Sequence, residues 1–224
     1  MLSDEVAEFI ARSMKIDLKS LYEKFDEEEI RNHKNELVGA VTEFVQAIVD
    51  QNESGVVHDI FSFEDSPAEA IINKRFCDLS DEFSNEDTKA VLDSLRHAFC
   101  SFAFGGLHQL YTRQENEVWY PKIVLDEELK PNDIDALPEN ITLYRGTDFA
   151  EFTSKNFGQS WTTSKDVAYD FAFRHYAAQP WFEESERLVL NTKISRKYVY
   201  FSNQSCEFEV VIDTSKLTEV RKCT

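Results

Sequence analysis

The sequence is poor in cysteine, in long apolar runs and in positive charge, and each shortage excludes a class of protein. Its four cysteines, at positions 77, 100, 206 and 223, form no C-x-x-C pair and are too scattered for a disulfide framework. No apolar run approaches the roughly 20 residues that a membrane helix needs. Residues 1–6 lack the basic start of a signal peptide. We therefore expect a soluble protein with reduced thiols, working in a cytoplasm.

The net charge is also unevenly placed along the chain. The chain has 24 basic and 42 acidic residues, for a net charge of −18. Residues 1–140 carry 31 acidic and 13 basic side chains, whereas residues 141–224 carry 11 of each. No basic stripe favours broad nucleic-acid binding. The acidic part either keeps the protein soluble or suits a basic partner.

Metal-ligand patterns are missing as well. The five histidines have no ligand spacing, so we interpret them as structural or surface residues and expect no metal site. Apolar side chains are plentiful: 42% of the residues are hydrophobic, and the chain has 18 phenylalanines. A chain of 224 residues with this composition predicts one large domain, or a domain with a helical extension.

Apolar spacing and caps predict helices in the first part of the chain. Ser66-Pro67-Ala68-Glu69 has the cap, the proline and the glutamate of a helix start, and Gly105-Gly106 has the signal of a helix end. Residues 56–63 are ambiguous between a strand and a buried turn. We expect helices over 3–16, 17–25, 28–51, 66–76 and 86–104, and so a helical N-terminal region over 1–106.

Strand patterns dominate the remainder, residues 107–224. Residues 119–125 fit an edge strand or an ordered loop, and residues 203–205 fit a turn. Helices followed by strands predict an α+β fold. We expect strands over 141–145, 187–194, 197–201 and 208–212, with a helix over 166–176.

Arg145 and Gly146 are the first of three signals with chemical content. A guanidinium at a strand end can hold a phosphate through two parallel hydrogen bonds, which lysine cannot imitate. A following glycine lets a ligand approach the backbone. The alternative is a surface arginine before a turn.

Ser160 and Thr162 are the second signal. They lie on one side of a strand, where two hydroxyls can hydrogen-bond and orient a carboxylate, while Trp161 points to the core. The alternative is a polar strand edge, with Ser164 as the cap of the next helix.

Glu207 and Glu209 are the third signal. In a continuous strand both carboxylates face one way, and Phe208 and Val210 supply the core on the other side. An acidic face is costly unless it is exposed or functional. The alternative is the solvent face of an amphipathic strand.

In this order, Arg145, Ser160-x-Thr162 and Glu207-x-Glu209 resemble the Arg, Ser-x-Ser/Thr and Glu-x-Glu elements of the mono-ADP-ribosyltransferases, in their toxin-like branch. Residues 143–146 resemble the first strand of that family, and residues 168–172 resemble the helix after its second strand. The resemblance covers residues 139–213. It implies an ADP-ribosyltransferase-like core over 107–224, a mixed or antiparallel β-sandwich, in a toxin or effector that uses NAD as substrate.

The resemblance also implies a role for each residue. Glu209 stabilises the oxocarbenium ion that forms when the nicotinamide–ribose bond breaks, and Ser160 orients it. Arg145 holds the NAD phosphates, and Gly146 and Thr162 complete the cofactor site. Glu207 aligns or deprotonates the acceptor. Four further residues are expected to meet the acceptor: Tyr200, Phe201, Asn203 and Gln204.

A glutamate at position 207 implies an arginine of a target protein as acceptor. One alternative is the same chemistry on an RNA or DNA base. An alternative of another class is an inactive scaffold that binds a partner through its acidic helical half. Only 14 residues separate Arg145 from Ser160, which is short for the family, so we expect an open NAD cleft.

Overall fold

A computed structural model describes residues 1–55, 65–114, 119–179, 181–205 and 207–223. These residues form an α+β protein with a helical N-terminal half, as expected. The chain divides into two compact units, Met1–Val124 and Leu125–Thr224. No helix formed by the described residues is long and apolar enough to cross a membrane.

The first unit consists of helices whose ends are set by local capping. Ser66 Oγ accepts a hydrogen bond from Glu69 N at 3.3 Å, and Glu69 Oε2 accepts one from Ser66 N at 2.9 Å. The predicted helix start is therefore confirmed, and buried phenylalanines fill the core between the helices. The helices are α1 (Asp4–Arg12), α2 (Leu18–Phe25), α3 (Lys34–Ser54), α4 (Pro67–Glu82) and α5 (Glu86–Thr112).

The expected break of the helix at Gly105 and Gly106 is confirmed, because both glycines leave helical geometry. A second helical stretch that was not predicted follows the break within α5, reaches Thr112 and buries Leu110 and Tyr111. The first compact unit accordingly extends beyond position 106 to Val124. Within 119–125 the strand pairing is a single bridge between Ile16 and Ile123, so most of this stretch is ordered loop. The ambiguous stretch 56–63 lies outside the described residues.

The second unit is built on an antiparallel sheet. Its strands have the order β4-β5-β2-β1-β3-β6, and all strands of the described residues belong to this one sheet. The expected sandwich is therefore not confirmed. The elements are β1 (Asn140–Asp148), α6 (Phe149–Ser154), β2 (Ser160–Thr162), α7 (Lys165–Phe173), β3 (Arg187–Ser195), β4 (Val199–Asn203), β5 (Glu209–Ile212) and β6 (Val220–Lys222).

The two faces of this sheet are covered differently. One face carries the main apolar core of the unit, in which Leu143, Trp161 and Val210 are almost fully buried. The other face packs Tyr144 and Val189 against α7. Two elements were not predicted, α6 and β6, since six and three residues are too short to show a clear period.

Candidate active site

Strand β2 brings the three sequence signals together because it lies between β1 and β5. Thr162 is the direct cross-strand partner of both Tyr144 on β1 and Glu209 on β5. Directly opposed residues share a sheet face, and so do residues two apart on a strand. Ser160, Thr162 and Glu209 therefore lie on the face that α7 covers, and Arg145 starts from the opposite face.

Ser160 and Glu209 meet across this pairing. The Ser160 hydroxyl donates to Glu209 Oε1 at 2.7 Å. Ser160 is exposed and Glu209 is partly buried, so the carboxylate is fixed at a position that solutes can reach. This is the arrangement that the sequence signals anticipated for these two residues.

Arg145 contacts Ser160 from the opposite face of the sheet. Its Nη1 donates to the backbone carbonyl of Ser160 at 2.5 Å. The parallel two-bond grip expected for a phosphate is present, but its acceptor is Glu151: Nε donates to Oε1 at 2.7 Å and Nη2 donates to Oε2 at 3.0 Å. These bonds engage three of the five N–H groups of the guanidinium. Phosphate binding by Arg145 stays a prediction.

The ion pair of Arg145 and Glu151 is shielded from solvent. The two side chains are 22% and 18% exposed. A Cβ atom at Gly158 would collide with Arg145 Nη2, so glycine at this position allows the chain to cross the guanidinium. Burial alone would raise the pKa of Glu151, but the hydrogen bonds and charge of Arg145 hold the pKa below its ordinary value.

Glu151 was not among the residues expected at the site. It has a recognisable signal, because Asp148 and Glu151 have the spacing of a helix cap and its third residue. Asp148 Oδ1 indeed accepts from Glu151 N at 2.8 Å and starts α6.

Thr162 and Gly146 have structural functions in this geometry. Thr162 is 6% exposed, and its hydroxyl donates to the Glu207 carbonyl at 2.8 Å, so it anchors the loop before β5, while its contact with NAD stays a prediction. At Gly146, a Cβ atom would collide with the carbonyl oxygen of Ala168 and the amide nitrogen of Ala172. The glycine therefore allows α7 to approach β1, and that approach explains it without a ligand.

The expected strand alternation between Glu207 and Glu209 is wrong. Strand β5 begins at Glu209, and Phe208 has a positive φ of 53°, which a bulky residue rarely adopts. Hydrogen bonds from Thr163 N to the Phe208 carbonyl, at 3.0 Å, and from Thr162 to the Glu207 carbonyl hold this bend. As a result Phe208 is 40% exposed, although we expected it in the core, and Glu207 lies on an exposed loop.

The turn assigned to the acceptor is only partly available to one. Phe201 is 2% exposed, so its side chain belongs to the interior, and contact of this residue with an acceptor stays a prediction. Gln204 donates through Nε2 to the Glu209 carbonyl at 3.1 Å and accepts from the Thr163 hydroxyl at 3.1 Å. Its side chain therefore supports the backbone of the site. Asn203 is exposed and Tyr200 is partly buried.

Tyr176 lies three residues after the end of α7 and is partly buried. Burial is the main cause that raises the pKa of its phenol, and the charge of Glu207 adds to the increase while Arg187 and Arg145 oppose it. The ring of Trp181, which is 61% exposed, lies 5.4 Å from the Tyr176 ring.

The site therefore presents an oriented carboxylate, Glu209, next to a loop on which the side chain of Glu207 is exposed. Such a carboxylate can stabilise a positive charge that develops next to it. The described residues contain no group of three histidine, cysteine, aspartate or glutamate side chains that could hold a metal ion. Comparisons with protein-family models, with curated proteins and with solved structures found no match to this chain.

Proposed function

We propose that the protein is a mono-ADP-ribosyltransferase that cleaves NAD and transfers ADP-ribose to a macromolecular acceptor. The observation that carries the proposal is the 2.7 Å hydrogen bond from Ser160 to Glu209, between two sequence-distant signals that share one sheet face. The order of Arg145, Ser160 and Glu209 in the sequence supports it further. In this proposal the sheet unit is an ADP-ribosyltransferase-like core.

The chemistry needs one fixed negative charge. As the bond between ribose C1′ and the nicotinamide nitrogen breaks, nicotinamide leaves with the electron pair and the ribose becomes an oxocarbenium ion. The Glu209 carboxylate stabilises that cation, and the Ser160 hydroxyl keeps it in place so that little reorganisation is needed. A nucleophile of the acceptor then bonds to C1′ and gives up its proton.

Glu207 is suited to receive the acceptor. Its loop is exposed, so an arginine side chain of a target protein can pair with the carboxylate. Such pairing both aligns the guanidinium and draws off the proton as the new bond forms. Phe208 and Asn203 are exposed beside it and provide the rest of the acceptor surface. A cytoplasm, of the producing cell or of a host, would supply the NAD.

The test is incubation of the pure protein with NAD that carries a label on its adenine half, with and without a cell lysate. We expect nicotinamide release and label on protein. Glu209→Gln should abolish both, because the amide keeps the shape and removes the charge. Glu219→Gln is the matched control, since it neutralises a glutamate that is ion-paired with Arg221 outside the site. Absence of both nicotinamide release and transfer in the wild type would refute the proposal.

The fraction that carries the label identifies the acceptor class. Label on RNA or DNA would replace the arginine acceptor with a base. Failure of the protein to bind NAD, together with tight binding of a basic partner, would favour an inactive scaffold. Glu207→Ala should reduce transfer and spare part of the nicotinamide release, and an equal loss of both would contradict this division of roles.

A further inference from the structure

The side chain of Glu151 is held in an unusual direction for its position. It is the third residue of α6, where a glutamate commonly turns back to the amide that precedes the helix. Glu69 makes that bond at the start of α4, at 2.9 Å. In α6 the carboxylate instead points both of its oxygens at Arg145.

Arg145 in turn makes a contact between β1 and β2 at a point where the pairing of these strands has ended. Among the described residues, the register of β1 with β2 contains the single pair Tyr144 and Thr162, so Ser160 lies beyond the end of that ladder. The bond from Arg145 Nη1 to the Ser160 carbonyl spans this gap. On its other side Ser160 pairs with Val211 of β5, so the guanidinium supplies the contact that holds Ser160 on the β1 side.

We propose that Glu151 is a positioning residue that clamps Arg145 onto the Ser160 carbonyl, so that Arg145 acts chiefly by placing Ser160 and Glu209. This inference rests on the proposed function for its catalytic consequence. A two-bond carboxylate–guanidinium pair fixes the plane of the guanidinium as well as its distance. Shielding of the pair and the close crossing at Gly158 leave the arginine little freedom to turn.

The competing interpretation makes the opposite kinetic prediction. If Arg145 serves mainly as a phosphate ligand, Glu151 occupies the hydrogen-bonding edge that a phosphate would use. Removing the glutamate charge would then strengthen NAD binding and lower KM. If Glu151 instead positions Arg145, the same change leaves KM nearly constant and lowers kcat, because it disturbs the placement of Ser160 and Glu209 and not the binding of NAD.

The experiment compares Glu151→Gln with wild type and with the control Glu219→Gln in a nicotinamide-release assay. We expect kcat to fall between about tenfold and a hundredfold in Glu151→Gln, since small displacements of reacting groups have effects of this size. We expect KM for NAD to stay within about twofold, as for a loss confined to the transition state. Glu151→Asp, which keeps the charge, should recover part of the loss. A lowered KM with kcat unchanged or raised would overturn the inference.

A double-mutant cycle tests whether Glu151 acts through Arg145. In an Arg145→Lys background, Glu151→Gln should reduce kcat much less than it does in the wild type. Equal effects in both backgrounds would mean that the two residues act independently, which would also overturn the inference.

Hydrogen–deuterium exchange of the protein without NAD separates this inference from the proposed function. Amides of residues 159–163 should exchange faster in Glu151→Gln than in wild type and should not change in Glu219→Gln. Thermal unfolding of each variant shows whether it is folded. If Glu151→Gln does not fold, the exchange measurement is made on Glu151→Asp instead. If the wild type releases no nicotinamide but these amides respond, the proposed function fails and the structural coupling stands. If exchange is unchanged, the positioning role fails whatever the activity.

Discussion

Removal of the Ser160 hydroxyl is the most direct test of the site. Ser160→Ala deletes the 2.7 Å hydrogen bond to Glu209 and little else, because Ser160 is exposed and its backbone bond to Arg145 remains. Hydrogen bonds to charged groups contribute about 1.5–3 kcal/mol. Since each 1.36 kcal/mol of barrier is a factor of ten, we expect kcat for nicotinamide release to fall by about 10- to 150-fold.

The assay is steady-state release of nicotinamide from NAD, with the unfolding midpoint of each variant measured in parallel. Ser215→Ala is the matched control, since it removes another serine hydroxyl that donates to a carboxylate, at 2.6 Å on Asp213. We expect the control to keep its kcat and both variants to unfold close to wild type. A Ser160→Ala variant with full kcat would show that the hydroxyl does not orient a catalytic carboxylate, and the reasoning about Glu209 would be refuted.

Three further predictions concern stability and acceptor contact. Gly146→Ala should lower the free energy of unfolding, measured with urea, by about 1–3 kcal/mol, because the added Cβ collides with the backbone of α7. Gly39→Ala is the control: its Cβ has open space inside α3, so it should raise the free energy of unfolding by about 0.5–1 kcal/mol. Equal effects of the two substitutions would contradict the packing explanation. Phe208→Gly should be about 1 kcal/mol more stable than Phe208→Ala, because only glycine adopts the positive φ without strain. Both variants should keep nicotinamide release and lose transfer of ADP-ribose to the acceptor. Full transfer by both variants would show that Phe208 is not part of the acceptor surface. Burial raises the pKa of Glu151, but Arg145 outweighs it and holds the pKa below the ordinary value of 4.5. The ionised carboxylate therefore stabilises the fold above pH 4.5, and this stabilisation is lost as the pH falls through the lowered pKa. Urea unfolding across this range should therefore show wild type losing its advantage over Glu151→Gln below about pH 4.5, and a constant difference would contradict the ion pair.

Patterns that depend on near neighbours in the chain were predictable. The capping box of Ser66 and Glu69 and the cap at Ser164 appear where the sequence placed them, because a cap needs only a side chain and an amide about three residues on. Strand alternation correctly put Trp161 and Val210 in the core. Alternation failed at Phe208, where hydrogen bonds from the neighbouring β2 segment hold a backbone angle that no local pattern records.

Residue order and spacing along the chain were enough to predict helices before strands, to show the acidic first part and to single out Ser160 and Glu209. The surroundings of the Ser160–Glu209 contact became visible only in the folded chain: the partner of Arg145, the outward turn of Phe208 and the helix packed on Gly146. Spacing along the chain sets periods and caps, whereas the partner of a long charged side chain depends on which strands become neighbours. A guanidinium bonds equally well to a phosphate or to a carboxylate, and here the folded chain places Glu151 beside it.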